Sequence, residues 1–336
     1  MTKLLHFSAL GSDFSPQSFC SELLKWYDSN ARDLPWRRTR DPYRVWLSEI
    51  MLQQTRVAAV IDHYHEFLRR FPTVQKLAAA RPASVLAAWS GLGYYRRARM
   101  LHAAAKVIVR QHRGKFPTTA QDLSALPGIG RYTAAAIASI AFDEPVAVVD
   151  GNVERVVQRL SGKRFTGERL WDAANRLLDG SRPGDFNQAM MELGATVCTP
   201  RTPQCAVCPL IKLCATRGDL APLARPALQR KREVHYALIR RAGEGYDDQV
   251  WLLQRPRNAS LMACMWELPE VQGSNGADGP LFTLRHSITV TDYTVNVWCL
   301  SGNGRRNGKW IPITRLQNFA LTGLARKILR KAGLLH

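Results

Sequence analysis

The sequence predicts a two-part fold: a mainly α-helical N-terminal region, residues 1–218, that ends in a cysteine-rich loop, and an α+β C-terminal region, residues 233–336. Three observations carry this expectation. Apolar residues recur at helical spacing through the first part. Four cysteines crowd its end. After the Pro-, Ala- and Arg-rich stretch DLAPLARPALQRKR (219–232), which reads as a linker, the texture changes to short β-rich runs. A chain of 336 residues also exceeds one typical core, so two domains are expected.

The formal charge of +20 implies a polyanionic partner, and nucleic acid is favoured over a membrane surface. No apolar run has the length of a transmembrane helix, and MTKLLHFSALGSDF lacks the h-region and cleavage pattern of a signal peptide. The expectation is a soluble protein, cytoplasmic and nucleoid-associated if bacterial. Thiols stay reduced in such a compartment, so the cysteine cluster argues for metal rather than disulfides. Cys20, Cys264 and Cys299 stand singly among apolar residues and are expected to be buried thiols.

In chain order, residues 14–30 carry Phe19, Leu23, Leu24 and Tyr27 at helical spacing. In DLPWRRTRDPYRVW, Pro35 and Pro42 mark a loop and Asp41 with Pro42 a helix start. Trp36 beside Arg37 and Arg38 suits the lining of a nucleotide site, or else a solvated charge run. The following helix holds one anomaly: the i±3 and i±4 neighbours of Glu49 are Val45, Trp46, Leu52 and Gln53, so a carboxyl projects from a mostly apolar face. Desolvation there raises its pKa toward that of a general acid, unless a nearby arginine pairs with it. Gln53, Gln54 and Thr55 make a polar break before a second helix through Val57, Ile61, Tyr64 and Leu68.

Residues 73–113 show two helical patterns joined at SGLGYYRRAR, a turn with Leu92 between two glycines. Tyr94 and Tyr95 interleaved with Arg96, Arg97 and Arg99 suit stacking on bases and pairing with phosphates; the alternative is a Gly-broken helix pair with core tyrosines. The same Gly-apolar-Gly pattern returns in LPGIGRYTAAA. Thr119 and Asp122 stand at capping-box spacing, a short helix over 122–126 ends at Pro127, and an Ala-rich helix follows to Phe142. Gly128 and Gly130 permit positive φ and close approach, and the helix start behind them is a ready anion site, or simply a helical hairpin. Asp150 follows an apolar run, Asn152–Arg159 starts another helix, and 186–198 a further one with Glu192 between Met and Leu neighbours.

Cys198, Cys205, Cys208 and Cys214 follow the spacing CX6CX2CX5C and lack a histidine, which leaves structural zinc and an iron–sulfur cluster both open. Beyond the linker, VHYALIRR, QVWLLQRP, ITVTDYTVNVWCL and KWIPI read as strands, and FALTGLARKILRKAGLL as a basic amphipathic helix.

Taken together, LPWRRTRDPYRVWLSEIMLQQTRV, GLGYYRRAR, LPGIGRYTAAAI, VVDGNVERV, FNQAMMELGA and the four-cysteine loop resemble the adenine DNA glycosylases, the MutY family, of the helix-hairpin-helix glycosylase superfamily. The resemblance covers nearly the whole chain. It implies a catalytic domain over 1–218, with a six-helix subdomain at about 31–143 and a cluster subdomain from 1–30 and 144–218, and a Nudix-like lesion-recognition domain over 233–336. It implies a [4Fe-4S] cluster on the four cysteines and a DNA phosphate at Gly128 and Gly130. By the resemblance Glu49 is the general acid and Asp150 the catalytic aspartate, with Tyr132 and Asn152 supporting them. Arg37 and Glu192 contact adenine, while Gln54, Leu92 and Tyr94 meet the DNA near the lesion.

The implied substrate is double-stranded DNA with adenine opposite 8-oxoguanine or guanine, bound by a monomer with no membrane partner. Endonuclease III-like relatives carry a lysine where this chain has Tyr132, so base removal without an efficient lyase step is expected. The C-terminal region has no Nudix-box run of glutamates, and pyrophosphate hydrolysis is not expected. It departs from the family where many members have Phe-Ser-His: Ile288, Thr289 and Val290 stand there, with the Thr289 hydroxyl left to meet the damaged base. The alternatives are an endonuclease III-like glycosylase/lyase and a non-catalytic DNA-binding iron–sulfur protein.

Overall fold

The structure, a computed structural model, describes residues 15–218, 220, 230–242, 248–272, 279–288, 290–300 and 308–335. The helices are α1 (Pro16–Asn30), α2 (Pro42–Leu52), α3 (Val57–Arg70), α4 (Val74–Ala79), α5 (Pro82–Ala88), α6 (Arg96–Gln111), α7 (Ala120–Ser124), α8 (Arg131–Phe142), α9 (Gly151–Ser161), α10 (Glu168–Leu177), α11 (Pro183–Thr196) and, after the strands, α12 (Gly323–Lys331). The strands are β1 (Arg230–Arg241), β2 (Gln249–Gln254), β3 (Trp266–Glu267), β4 (Glu270–Val271), β5 (Phe282–Ile288), β6 (Thr291–Leu300) and β7 (Gly308–Pro312). A mostly α N-terminal part is thus followed by a β-rich C-terminal part.

Local chemistry explains the helix boundaries. Asp41 caps α2 by accepting from Tyr43 N at 2.8 Å, with Pro42 at the first helical position, where a missing N–H costs nothing. Two boundaries differ from expectation. The 73–113 stretch forms three helices rather than two, because Pro82 restarts the chain at α5 after an extended Arg81. Thr119 accepts from Asp122 N, so α7 begins at Ala120 and stops at Ser124.

The described residues fall into two compact units. One comprises those within Met1–Gln53 and Val107–Ala224, the other those within Gln54–Lys106 and Arg225–His336. In the first, α1, α9, α10 and α11 enclose a core around Phe19, Leu23, Val157, Leu177, Phe186 and Leu193. The second groups residues 54–106 with the C-terminal strands, a partition the sequence boundary at 219–232 does not follow. Its joints are polar: Ser90 Oγ and Tyr95 OH both donate to Leu321 O, at 3.0 and 3.1 Å, and the Arg99 guanidinium donates to Ala263 O.

In the sheet of this second unit β1 runs parallel to β6 and antiparallel to β2 and β4, β5 pairs antiparallel with β6, and β2 pairs with β3 and β7. Val234, Val250, Leu284, Val295 and Ile311 from its strands pack with Leu324, Ile328 and Leu329 of α12. Strand β1 starts at Arg230, inside the stretch read as linker, since pairing of Arg230 through Arg232 with Thr291 through Tyr293 outweighs the basic composition. Most of 219–232 lies outside the described residues, as does Thr289. Strand β5, with its Thr, Arg, His and Ser, escaped the reading because one face is polar. Cys20 is buried as expected, whereas Cys299 is exposed near the end of β6 and Cys264 half-buried.

Candidate active site

Helix α2 carries Glu49 inward to 5% exposure. Arginine does not neutralise it. Its Oε2 accepts a 2.6 Å hydrogen bond from Tyr132 OH. Burial pushes the carboxyl up to about 7, against the pull of the Tyr132 hydrogen bond, while the charge of Asp150 adds to the rise and that of Arg37 opposes it. A carboxylic acid half-protonated near neutrality is matched to proton donation. Burial and the neighbouring Glu49 and Asp150 hold the Tyr132 phenol well above its ordinary value, so it remains a donor.

Asp150 is the N-cap of α9. Its Oδ1 accepts from Asn152 N at 2.9 Å and Val153 N at 2.8 Å, and its Oδ2 accepts from Asn152 Nδ2 at 2.8 Å. An N-terminal carboxylate also lies at the positive end of the helix dipole. Asn152 is fixed in turn, because Arg155 Nη2 donates to its Oδ1 at 2.8 Å. The same guanidinium reaches Gly194 O at 2.7 Å and, through Nε, Cys198 O at 2.7 Å. Arg155 therefore ties the α9 start to α11 and to the cysteine loop.

Gly194 is what lets α11 come so close. A Cβ there would stand 2.6 Å from Asn152 Cβ and 3.0 Å from Asn152 O. Neither Arg155 nor Gly194 was singled out from the sequence. A glycine inside a helical pattern costs about 1 kcal/mol and thereby flags a close approach, so the signal for Gly194 existed; for Arg155 there was none.

Glu192, 1% exposed, does not stand alone on its apolar helix face. It accepts from Arg32 Nε at 2.7 Å, Arg32 Nη2 at 2.6 Å and Arg37 Nη2 at 2.8 Å, and from the Arg32 backbone N–H. Burial alone disfavours its charge, but the hydrogen bonds from the two arginines prevail and hold the carboxyl near about 2. The Arg37 guanidinium also lies over the Tyr27 ring, 5.5 Å from its centroid. Two buried carboxyls in one unit are thus pushed apart, one toward neutrality and one toward permanent charge.

In the hairpin, Gly128 adopts φ +73°, as a tight turn requires. Gly130 does not: it is extended at φ −88°, ψ 174°, as the N-cap of α8, and a Cβ there would meet nothing within 4 Å. Its use is open space before a helix N-terminus. In the other unit Gln54 and Tyr94 are exposed with positive φ, +56° and +46°, while Leu92 is buried.

The four clustered cysteines are all half-buried. Burial, opposed by a hydrogen bond from the Leu210 backbone and aided by the nearby Cys198, Cys214 and Cys205, pushes the Cys208 thiol up to about 11. Arg159 Nη1 donates to Cys198 Sγ at 3.4 Å, and a Cβ on Gly218 would meet Cys205 Sγ at 3.0 Å. Among the described residues, no three His, Cys, Asp or Glu side chains gather tightly enough to hold a single ion. No helix of the described residues is long and apolar enough to cross a membrane.

A helical unit with a Gly-turn hairpin and a capped aspartate beside a buried acid defines a class, and sequence comparison identifies it. Residues 47–170 match the model of the HhH-GPD superfamily base excision DNA repair proteins. The rat adenine DNA glycosylase is 41% identical over 312 residues, covering 76% of this chain and 60% of that protein. The Schizosaccharomyces pombe adenine DNA glycosylase is 39% identical over 321 residues, covering 76% of this chain and 70% of that protein. The solved structure of a thermostable thymine-DNA glycosylase superposes with a TM-score of 0.57 at 31% identity, covering 61% of this chain and 97% of that one. The chain belongs to the adenine DNA glycosylase family. It spans about half the length of the mammalian relatives it matches, from 60% of the rat protein to 39% of the human one.

Proposed function

We propose that this chain is a base-excision-repair glycosylase that hydrolyses the N-glycosidic bond of adenine mispaired with 8-oxoguanine, or with guanine, in double-stranded DNA. The observation that carries this reading is the pairing of environments. Glu49 is buried and raised to about 7, while Asp150 is held by two backbone amides and Asn152. Two carboxyls with different environments are what glycoside cleavage needs.

The adenine leaves the stack to enter the site. Glu49 gives its proton to N7 of the adenine, which departs with the bonding electrons. Asp150 stabilises the oxocarbenium-like sugar or bonds to its C1′, and water, losing a proton to Glu49, completes hydrolysis and restores both acids. Tyr132 and Asn152 orient the two carboxyls, and Arg37 with Glu192 recognises the base. Tyr132 offers no amine for a Schiff base, which supports hydrolysis without a lyase step. Gly128 and Gly130 seat a phosphate, and the β-rich part serves as a Nudix-like reader of the opposite base.

The donor set of Cys198, Cys205, Cys208 and Cys214 is four thiols with no histidine, a set that would hold a [4Fe-4S] cluster through its thiolates. When bound, such a cluster cross-links the loop that Arg155 and Arg159 brace.

Incubation with a duplex holding adenine opposite 8-oxoguanine tests the reading. It predicts an alkali-labile site at the adenine, no borohydride-trapped adduct, and loss of the alkali-labile site in a Glu49→Gln variant that still binds the duplex. Intact strands after alkali would refute it.

A further inference from the structure

Arg97 stands at the start of α6, and nothing in the proposed chemistry uses it. Its surroundings are unusual for an arginine. The guanidinium carbon lies 5.5 Å from the centroid of the fully buried Trp89 ring and 5.4 Å from that of Tyr94, which is 49% exposed. Nη2 donates to Thr55 Oγ1 at 3.2 Å, Leu92 O at 3.1 Å and Gly93 O at 3.3 Å. Trp89 Nε1 also donates to Gly93 O at 3.2 Å.

These partners belong to two loops. Thr55 follows Gln54, and Leu92 and Gly93 precede Tyr94. Gln54 and Tyr94 both hold the left-handed backbone that residues with a Cβ avoid. Strain of this kind persists only where the surroundings over-determine it. The guanidinium supplies that constraint to both loops at once, from a desolvated position where its hydrogen bonds and its attraction to the rings are strengthened.

We propose that Arg97 is a positioning residue that holds Gln54 and Tyr94 in one fixed relation, so that the two side chains enter the duplex together when adenine is extruded. This rests on the reading of the chain as a glycosylase that opens duplex DNA. Lysine cannot replace the guanidinium, since an ammonium offers no planar face to Tyr94 and Trp89.

The test is a set of single-turnover measurements on the full chain with a duplex containing adenine opposite 8-oxoguanine. Arg97→Met and Arg97→Lys should each slow excision per folded molecule on the order of tenfold. In a Gln54→Ala/Tyr94→Ala background, adding Arg97→Met should change the rate by less than about twofold, because the residues through which Arg97 acts are gone. The same multiple in both backgrounds would overturn the proposal and leave Arg97 a general structural residue. Equal rates for Arg97→Met and the parent would also overturn it. A parent protein that excises no adenine sinks the glycosylase reading itself, which separates the two failures.

Discussion

Tyr132 donates its phenolic hydrogen to Glu49 across 2.6 Å, and this bond is the main force keeping a buried carboxyl from rising further above neutrality. The acid form of Glu49 prevails below about pH 7 and declines above it. Under single-turnover conditions excision should therefore be flat on the acid side of this value and fall about tenfold per pH unit above it. The same shift bears on stability. Between 4.5 and about 7 the folded protein retains a proton that the unfolded chain has released, so stability declines as pH rises across that window. Melting temperatures of Glu49→Gln should lack this decline, and a parallel decline in the variant would refute the assignment.

Replacing Tyr132 by phenylalanine keeps the ring and removes the donor. The lost hydrogen bond favoured the ionised carboxylate, so Glu49 becomes harder to ionise. The alkaline fall of the excision rate should move to higher pH in Tyr132→Phe, whatever happens to its maximum. An unmoved or acid-shifted fall would show that the phenol does not control Glu49.

Glu192 is the opposite case. Its carboxyl is fully enclosed, and its partners Arg32 and Arg37 hold it near about 2. Glu192→Gln leaves two guanidinium groups without their anion, and because Arg32 keeps 40% of its side chain in solvent the loss should be about 2 kcal/mol, below the usual cost of breaking a fully buried pair. A depressed pKa stabilises above the unfolded value of 4.5, and that contribution is lost as pH falls toward about 2. Denaturant titrations should show a gap between parent and variant at pH 7 that closes through this acid range.

The fold's outline was legible because it rests on local signals. Asp41 with Pro42 announced α2, and the Ala-rich run gave α8 its end at Phe142. The candidate acid was also legible, since an isolated glutamate among Val45, Trp46 and Leu52 has to be compensated. What compensates it came from the family resemblance and not from the residues around it. Tyr132 lies 83 positions away, and the partners of Glu192 lie 155 and 160 away, distances over which a single sequence carries no pairing signal. The grouping of residues 54–106 with the C-terminal strands escaped for the same reason, because it is made by carbonyls such as Leu321 O, which every residue has. Leu92, which the resemblance brings to the DNA, is buried in this unit.

Gly194 offers the sharpest check on the architecture around Asp150. Helix α11 approaches α9 at this residue, and a methyl group added there would overlap Asn152 Cβ at 2.6 Å and crowd its Cα and carbonyl oxygen at 3.0 Å. Backbone atoms cannot yield as a flexible side chain does, so either α11 or the first turn of α9 must shift. Alanine is otherwise the better helix former by about 1 kcal/mol, which makes the sign of the result informative. Overpacking at a close contact costs about 1–3 kcal/mol and should prevail, lowering the melting temperature of Gly194→Ala. The displacement falls on Asn152, whose Nδ2 holds Asp150 Oδ2 and whose Oδ1 is held by Arg155. Excision at saturating enzyme should consequently fall by more than the lost folded fraction accounts for, while affinity for the duplex changes little. A variant as stable as the parent would place the two helices further apart than this structure has them, and a destabilised variant with undiminished excision per folded molecule would separate Asn152 from the chemistry.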